Sequence, residues 1–158
     1  MARELLTNWG DFQVAIDRLL ELAEREILVY DGDLAHLKLD SAPRIEHLKR
    51  LLQPRRQDCL RLSLQDTTLL QRNNPRLIGL LADYTSGITV LQTPEHLSHR
   101  RDSMILVDGR HGLILFERSQ PRSKLLIDEM QEIEPYLQCF EQIWQEGGTP
   151  FSATTLGL

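Results

Sequence analysis

The residues most able to do chemistry lie between positions 95 and 109. His96 and His99 are three apart, with Glu95 and Asp102 beside them. Arg101, Ser103, Asp108 and Gly109 then frame the apolar run Met104-Ile105-Leu106-Val107. A guanidinium stays protonated at any working pH and has no lone pair to offer. Arg101 can therefore hold an anion but cannot act as a nucleophile. Ser103 adds a hydrogen bond without charge. As a metal site, the two histidines lack a third ligand at convincing spacing and read as exposed loop residues, so neither metal nor cofactor is expected. Asp31-Gly32-Asp33 follows an apolar strand, where ligands gather in open α/β sheets, yet turn chemistry accounts for the same three residues. Cys59 and Cys139 share no ligand spacing and read as free, reduced thiols. The chain has no Gly-rich phosphate loop and no Gly-x-Ser-x-Gly elbow.

The elements that must position these residues alternate along the chain. Phe12, Ile16, Leu19, Leu20 and Ala23 fall at helical spacing, with Thr7 and Asn8 upstream as caps. Ile27 to Tyr30 predicts a buried strand, stopped by Asp31-Gly32-Asp33. A second helix follows Ser41 and Pro43, and Leu60 to Leu64 alternates as a strand should. Asn74-Pro75 starts a third helix, with Gly87 placed as its C-terminal cap. Ile88 to Leu91, Met104 to Val107 and Leu113 to Phe116 predict three more strands, the last two joined by a hairpin turn at Asp108-Gly109. Met130, Ile133, Leu137, Phe140 and Trp144 mark a closing helix whose main part is expected to begin with Pro135 in its first turn. This order predicts one α/β domain over residues 1–146, a mixed, mostly parallel sheet with helices on both faces. Residues 147–158 form a tail, free or docked on the domain or on a second copy.

That succession resembles half of a phospholipase D-like domain of bacterial type over roughly residues 10–146. It carries the Ile27-Leu28-Val29-Tyr30 strand, the Gly87-Ile88-Thr89-Val90 strand, the stretch from Arg101 to Gly109, and Phe140 and Trp144 four apart. The family's motif is HxKxxxxDG. Asp108 and Gly109 match it, Arg101 stands for the histidine and Ser103 for the lysine. In the family the histidine takes the phosphoryl group, the lysine neutralises phosphate oxygens and the aspartate orients a histidine. The following Gly-Ser-x-Asn is also absent, with Leu115, Phe116 and Arg118 in its places. The resemblance thus implies a scaffold without the chemistry. His99 preserves parity with Arg101 as a substitute nucleophile, but that register puts Leu106 where the aspartate belongs.

Length, composition and charge agree with one globular domain, while the lost motif of the resemblance implies that it is not an enzyme. The chain has 158 residues, enough for a core without metals or disulfides. Its net charge of −5 argues against a general nucleic-acid or anionic-membrane binder. No uncharged apolar run approaches the ~18 residues of a membrane span, and no secretory leader is evident, so a cytoplasmic location is expected. Charge is unevenly placed: His99 to Lys124 holds six Lys/Arg against three acids, while Asp128 to Glu146 holds six acids and no Lys/Arg. The first segment suggests a remnant anion pocket of Arg101, Ser103, Asp108, His99, Arg122 and Lys124. A solvated basic rim explains it equally. The second segment suggests an acidic helix for a basic partner protein. The resemblance further implies a homodimer through the motif-bearing surface, with Trp144 and the tail as contacts, and an accessory role beside an acetyltransferase-type domain.

Overall fold

The computed structural model describes residues 1–152. Within them the chain runs β1 (Ala2–Leu6), α1 (Trp9–Leu22), β2 (Ile27–Asp31), α2 (Ala42–Leu52), β3 (Leu60–Leu64), α3 (Thr68–Asn73), α4 (Pro75–Asp83), β4 (Ile88–Gln92), a 3-10 turn (Glu95–Leu97), β5 (Ser103–Val107), β6 (His111–Leu115), β7 (Ser123–Ile127), α5 (Met130–Gln145) and β8 (Thr149–Phe151). The strands form one sheet in the order β1-β7-β6-β5-β2-β3-β4-β8.

This is the expected α/β architecture, but the sheet is mostly antiparallel. Only β2–β3 and β3–β4 are parallel; the other five pairs among the described residues run antiparallel. The connections explain it. A parallel return needs a crossover of a dozen or more residues, which α2 and the α3–α4 pair supply. The turns after β5 and β6 are too short for one, so β5, β6 and β7 must form a meander.

Two apolar layers cover the sheet. α1, α2 and α4 pack on one face over Val29, Leu62, Ile105 and Leu113. α5 covers the other through Ile133, Phe140 and Ile143 over Leu28, Met104, Leu106 and Leu126. Asn8 caps α1 as its side chain accepts from the Asp11 amide at 2.7 Å. At the far end of α1, Arg50 donates to the carbonyls of Leu20 and Ala23 at 3.0 and 2.9 Å, serving acceptors the helix leaves open. Buried Arg44 knits α2 to α1 and the intervening loop, donating to Asp17, Gln13 O and Leu37 O.

Two local expectations are corrected, and the described part of the tail is docked on the domain. α5 begins at Met130 and carries Pro135 inside it. A proline there removes one helical bond, but the preceding turn is held from outside: Ile133 is fully buried, and Arg3 and Lys124 pair with Glu132. Gly87 is not the cap of α4, which ends at Tyr84; it follows in a turn closed by its amide on the Tyr84 carbonyl. The start of the tail is a strand: Phe151 pairs with Val90 and packs against the core. Gly148 permits that return, since a Cβ there would sit 2.1 Å from the Gln92 carbonyl oxygen at a φ of +135°. The rest of the tail, 153–158, lies outside the described residues. Among those described, no helix is long and apolar enough to cross a membrane.

Candidate functional site

The parallel strands β2 and β3 end beside the start of β5, and an open cleft of about 360 Å³ lies there. Asp31, Gly32, Asp33, His36, Gln65 and Asp66 line one side, and Arg101, Arg118 and Ser119 the other. Its floor is a closed polar network. Ser103 Oγ donates to Asp31 Oδ1, and the Leu34 amide donates to Asp31 Oδ2 at 2.8 Å. Arg118 lies across both. Its Nε donates to Ser103 Oγ at 3.4 Å and lies 3.8 Å from Asp31 Oδ1. Its Nη1 donates to Gln65 Oε1 at 2.7 Å, and its Nη2 to the Asp102 carbonyl at 3.1 Å. The pair is 12% and 5% exposed, so the charge of Arg118 is used inside the protein. Glycine at 32 makes room for it, because a Cβ would stand 2.8 Å from Arg118 Nη1.

Gln65 joins this floor to the neighbouring loop. Its Nε2 donates to the Tyr30 hydroxyl and to the carbonyls of Leu97 and Arg100 at 2.9 to 3.0 Å. Tyr30 is fully buried, with the guanidinium groups of Arg100 and Arg118 over its ring, and burial raises its phenol pKa. At the rim, Arg101 is exposed and bonded to Glu117, Nε to Oε1 at 2.7 Å. That bond holds the Glu117 carboxyl below its ordinary pKa. His36 stacks on Trp9 with centroids 4.3 Å apart and planes 5° apart.

The residues of the expected anion pocket are not brought together. Arg101 and Ser103 share the cleft end of β5. Asp108 lies at its opposite end, the length of the strand away, roughly 16 Å at ~3.3 Å per residue. There its carboxylate accepts the amides of Glu24, Arg25 and Glu26 at 2.8 to 2.9 Å. It orients no histidine at the cleft; it ties the β5–β6 turn to the entry of β2. Lys124 sits on the α5 face, 3.1 Å from Glu132 and over the Tyr136 ring, with the sheet between it and Ser103. Arg122 is exposed just before β7. His99 is exposed and bonds the His96 carbonyl, while His96 bonds Glu146. Among the described residues no group of three or more His, Cys, Asp or Glu is placed to hold a metal.

Sequence reasoning missed Arg118 as a positioned residue. It stood in the chain only as a departure from Gly-Ser-x-Asn, and the signal available was a lone cation directly after a strand as apolar as β6. The acidic closing helix also changes meaning. Glu132 pairs with Arg3 and Lys124, Glu141 with Arg61, and Glu146 with His96. Arg61 lies on the rings of Phe140 and Trp144 as well.

An eight-stranded mixed sheet with a meander beside two parallel crossovers is a phospholipase D-like fold, and known structures agree. Nuc from Salmonella typhimurium, a phospholipase D family member, superposes with a TM-score of 0.61 at 14% identity, over 96% of this chain and 99% of its own. NucT from Helicobacter pylori gives 0.61 at 12% identity, over 95% and 99%. TrmBL2, an archaeal chromatin protein with a novel mode of DNA binding, gives 0.65 at 15% identity over 94% of this chain; the match spans 54% of TrmBL2. The chain itself belongs to the family described as Domain of unknown function (DUF7931), whose model matches residues 9–152. No curated protein matches it significantly.

Proposed function

We propose that this chain is a non-catalytic, phospholipase D-like accessory module, in which the catalytic motif has degenerated and the scaffold serves binding or assembly. One observation carries the reading: where phosphoryl chemistry would need a free nucleophile and a free cation, Arg118 is locked onto Asp31, Ser103, Gln65 and the Asp102 carbonyl. No lysine lines the cleft, and its single histidine, His36, is stacked on Trp9. The other rim cation, Arg101, is bonded to Glu117. A phosphate would have to displace an internal carboxylate at either arginine. Purified protein is expected to show no turnover of bis(p-nitrophenyl) phosphate from mildly acid to mildly alkaline pH. Turnover abolished by His36→Ala or by His99→Ala would overturn the reading.

Assembly is proposed through the same end of the molecule, as a homodimer. Phe116 supports this, being a large apolar side chain 44% exposed at the end of β6 beside the Arg101–Glu117 pair. Light scattering after size exclusion should show a dimer that Phe116→Asp converts to monomer with the far-ultraviolet circular dichroism retained. A wild-type monomer at micromolar concentration counts against it. An accessory place beside an acetyltransferase-type domain fits a module of this kind. The alternative of an acidic helix seeking a basic partner loses ground, because its carboxylates already face Arg3, Lys124, Arg61 and His96.

A further inference from the structure

We propose that the junction between β7 and α5 is an acid-released latch whose moving part is the bond between His111 and Asp128. His111 lies on β6, nearly buried, and its Nδ1 accepts the backbone N–H of Asp128 at 3.0 Å. Only a neutral ring with its proton on Nε2 can accept there. The imidazolium carries N–H on both nitrogens and would face the Asp128 N–H donor to donor.

The segment being held begins in a turn. Asp128 is a non-glycine residue at a φ of +53°, in the left-handed region. Its carboxylate pairs with Arg110, Nε at 2.7 Å and Nη2 at 2.6 Å, on an exposed surface. The Glu129 amide donates to the Arg110 carbonyl at 3.0 Å. Ile133 then seats α5 on Gly112, where a Cβ would come within 2.7 Å of Ile133 Cδ1. Residues 128–133 are thus moored to 110–112, and in the His111 bond the acceptor is a ring nitrogen that a proton can take.

His111 is faced by Arg110 from the turn before β6, Asp108 from the same turn, Asp128 from the end of β7 and Arg18 from α1. Glu24 and Arg25 line the same open cleft, which gives a proton access from solvent. Burial acts most strongly and lowers the His111 pKa; Asp128 and Asp108 oppose it, while Arg110 and Arg18 reinforce it. The folded ring is therefore harder to protonate than the unfolded one. The latch is fully made above the ordinary histidine pKa of ~6.5 and is lost as pH falls through the lowered pKa of the folded ring.

The test is amide hydrogen exchange with a histidine ring titration, both by nuclear magnetic resonance on the full chain. Protection of the Asp128 amide should fall by about tenfold as His111 titrates, after correction for intrinsic rates, while amides of β3 keep theirs. His111→Gln replaces the titrating acceptor with one that does not titrate and should abolish the pH step. Should that variant not fold, the wild-type ring and amide decide. A His111 ring titrating at or above free histidine, Asp128 protection tracking β3, or a pH step persisting in a folded His111→Gln would each overturn the proposal.

Discussion

Arg118→Ala should destabilise the domain by about 3 kcal/mol, in the range for removing one partner of a buried ion pair. The loss has an identifiable origin. Asp31 keeps the Ser103 hydroxyl and the Leu34 amide but loses the cation over it. Gln65 Oε1 and the Asp102 carbonyl lose their donor too. Urea denaturation should show a lower midpoint at unchanged slope. Adding Asp31→Ala to Arg118→Ala should cost less than the sum of the two single changes, since the uncompensated charge goes with it. A loss below about 0.5 kcal/mol for Arg118→Ala, the level of an ordinary surface change, would mean the arginine is not part of the packed floor.

Asp108→Ala should cost about as much, for a different reason and at the other end of the sheet. One carboxylate serves three backbone amides, those of Glu24, Arg25 and Glu26. Removing it takes a charged acceptor from three donors at the entry to the central strand, at about 1 kcal/mol for each bond lost. Asp108 also stands at a φ of +56°, which alanine tolerates less well. Asp108→Asn separates the two effects, because it keeps the backbone preference while offering one carbonyl oxygen in place of two carboxylate oxygens. It should fall between wild type and alanine. Equal stability of all three proteins would sink the structural role assigned to this residue.

These two positions show what the chain disclosed and what it withheld. Asp108-Gly109 was legible as a hairpin turn because a tight connection demands residues that accept positive φ, and both do. Its partners lie 82 to 84 residues earlier, a distance no local pattern spans. The family resemblance placed Asp108 beside the cleft chemistry; the strand between them removes it. The central strands were legible from continuous apolar runs, and α1 from its stripe and its Asn8 cap. The strands β1 and β7 were not. Ala2–Leu6 carries Arg3 and Glu4 and is largely exposed, so it has neither the apolar run nor the alternation of a core strand. Ser123–Ile127 follows a polar loop and holds Lys124 in its middle, where an α5 carboxylate receives it. Missing those strands made the sheet seem mostly parallel. The Arg118 network was unreadable for a related reason: its members come from β2, β5 and the ends of β3 and β6, and only the sheet order makes them neighbours.

That sheet order bears on how the molecule is made. β1 is synthesised before the other strands of this domain, yet its neighbour is β7, with Ala2 opposite Ile127. β1 must wait, unpaired, until β7 has been made, while β2, β3 and β4 can already zip together through their helical crossovers. Contacts so far apart in sequence form slowly, so the pairing of β1 with β7 is expected among the late steps of folding.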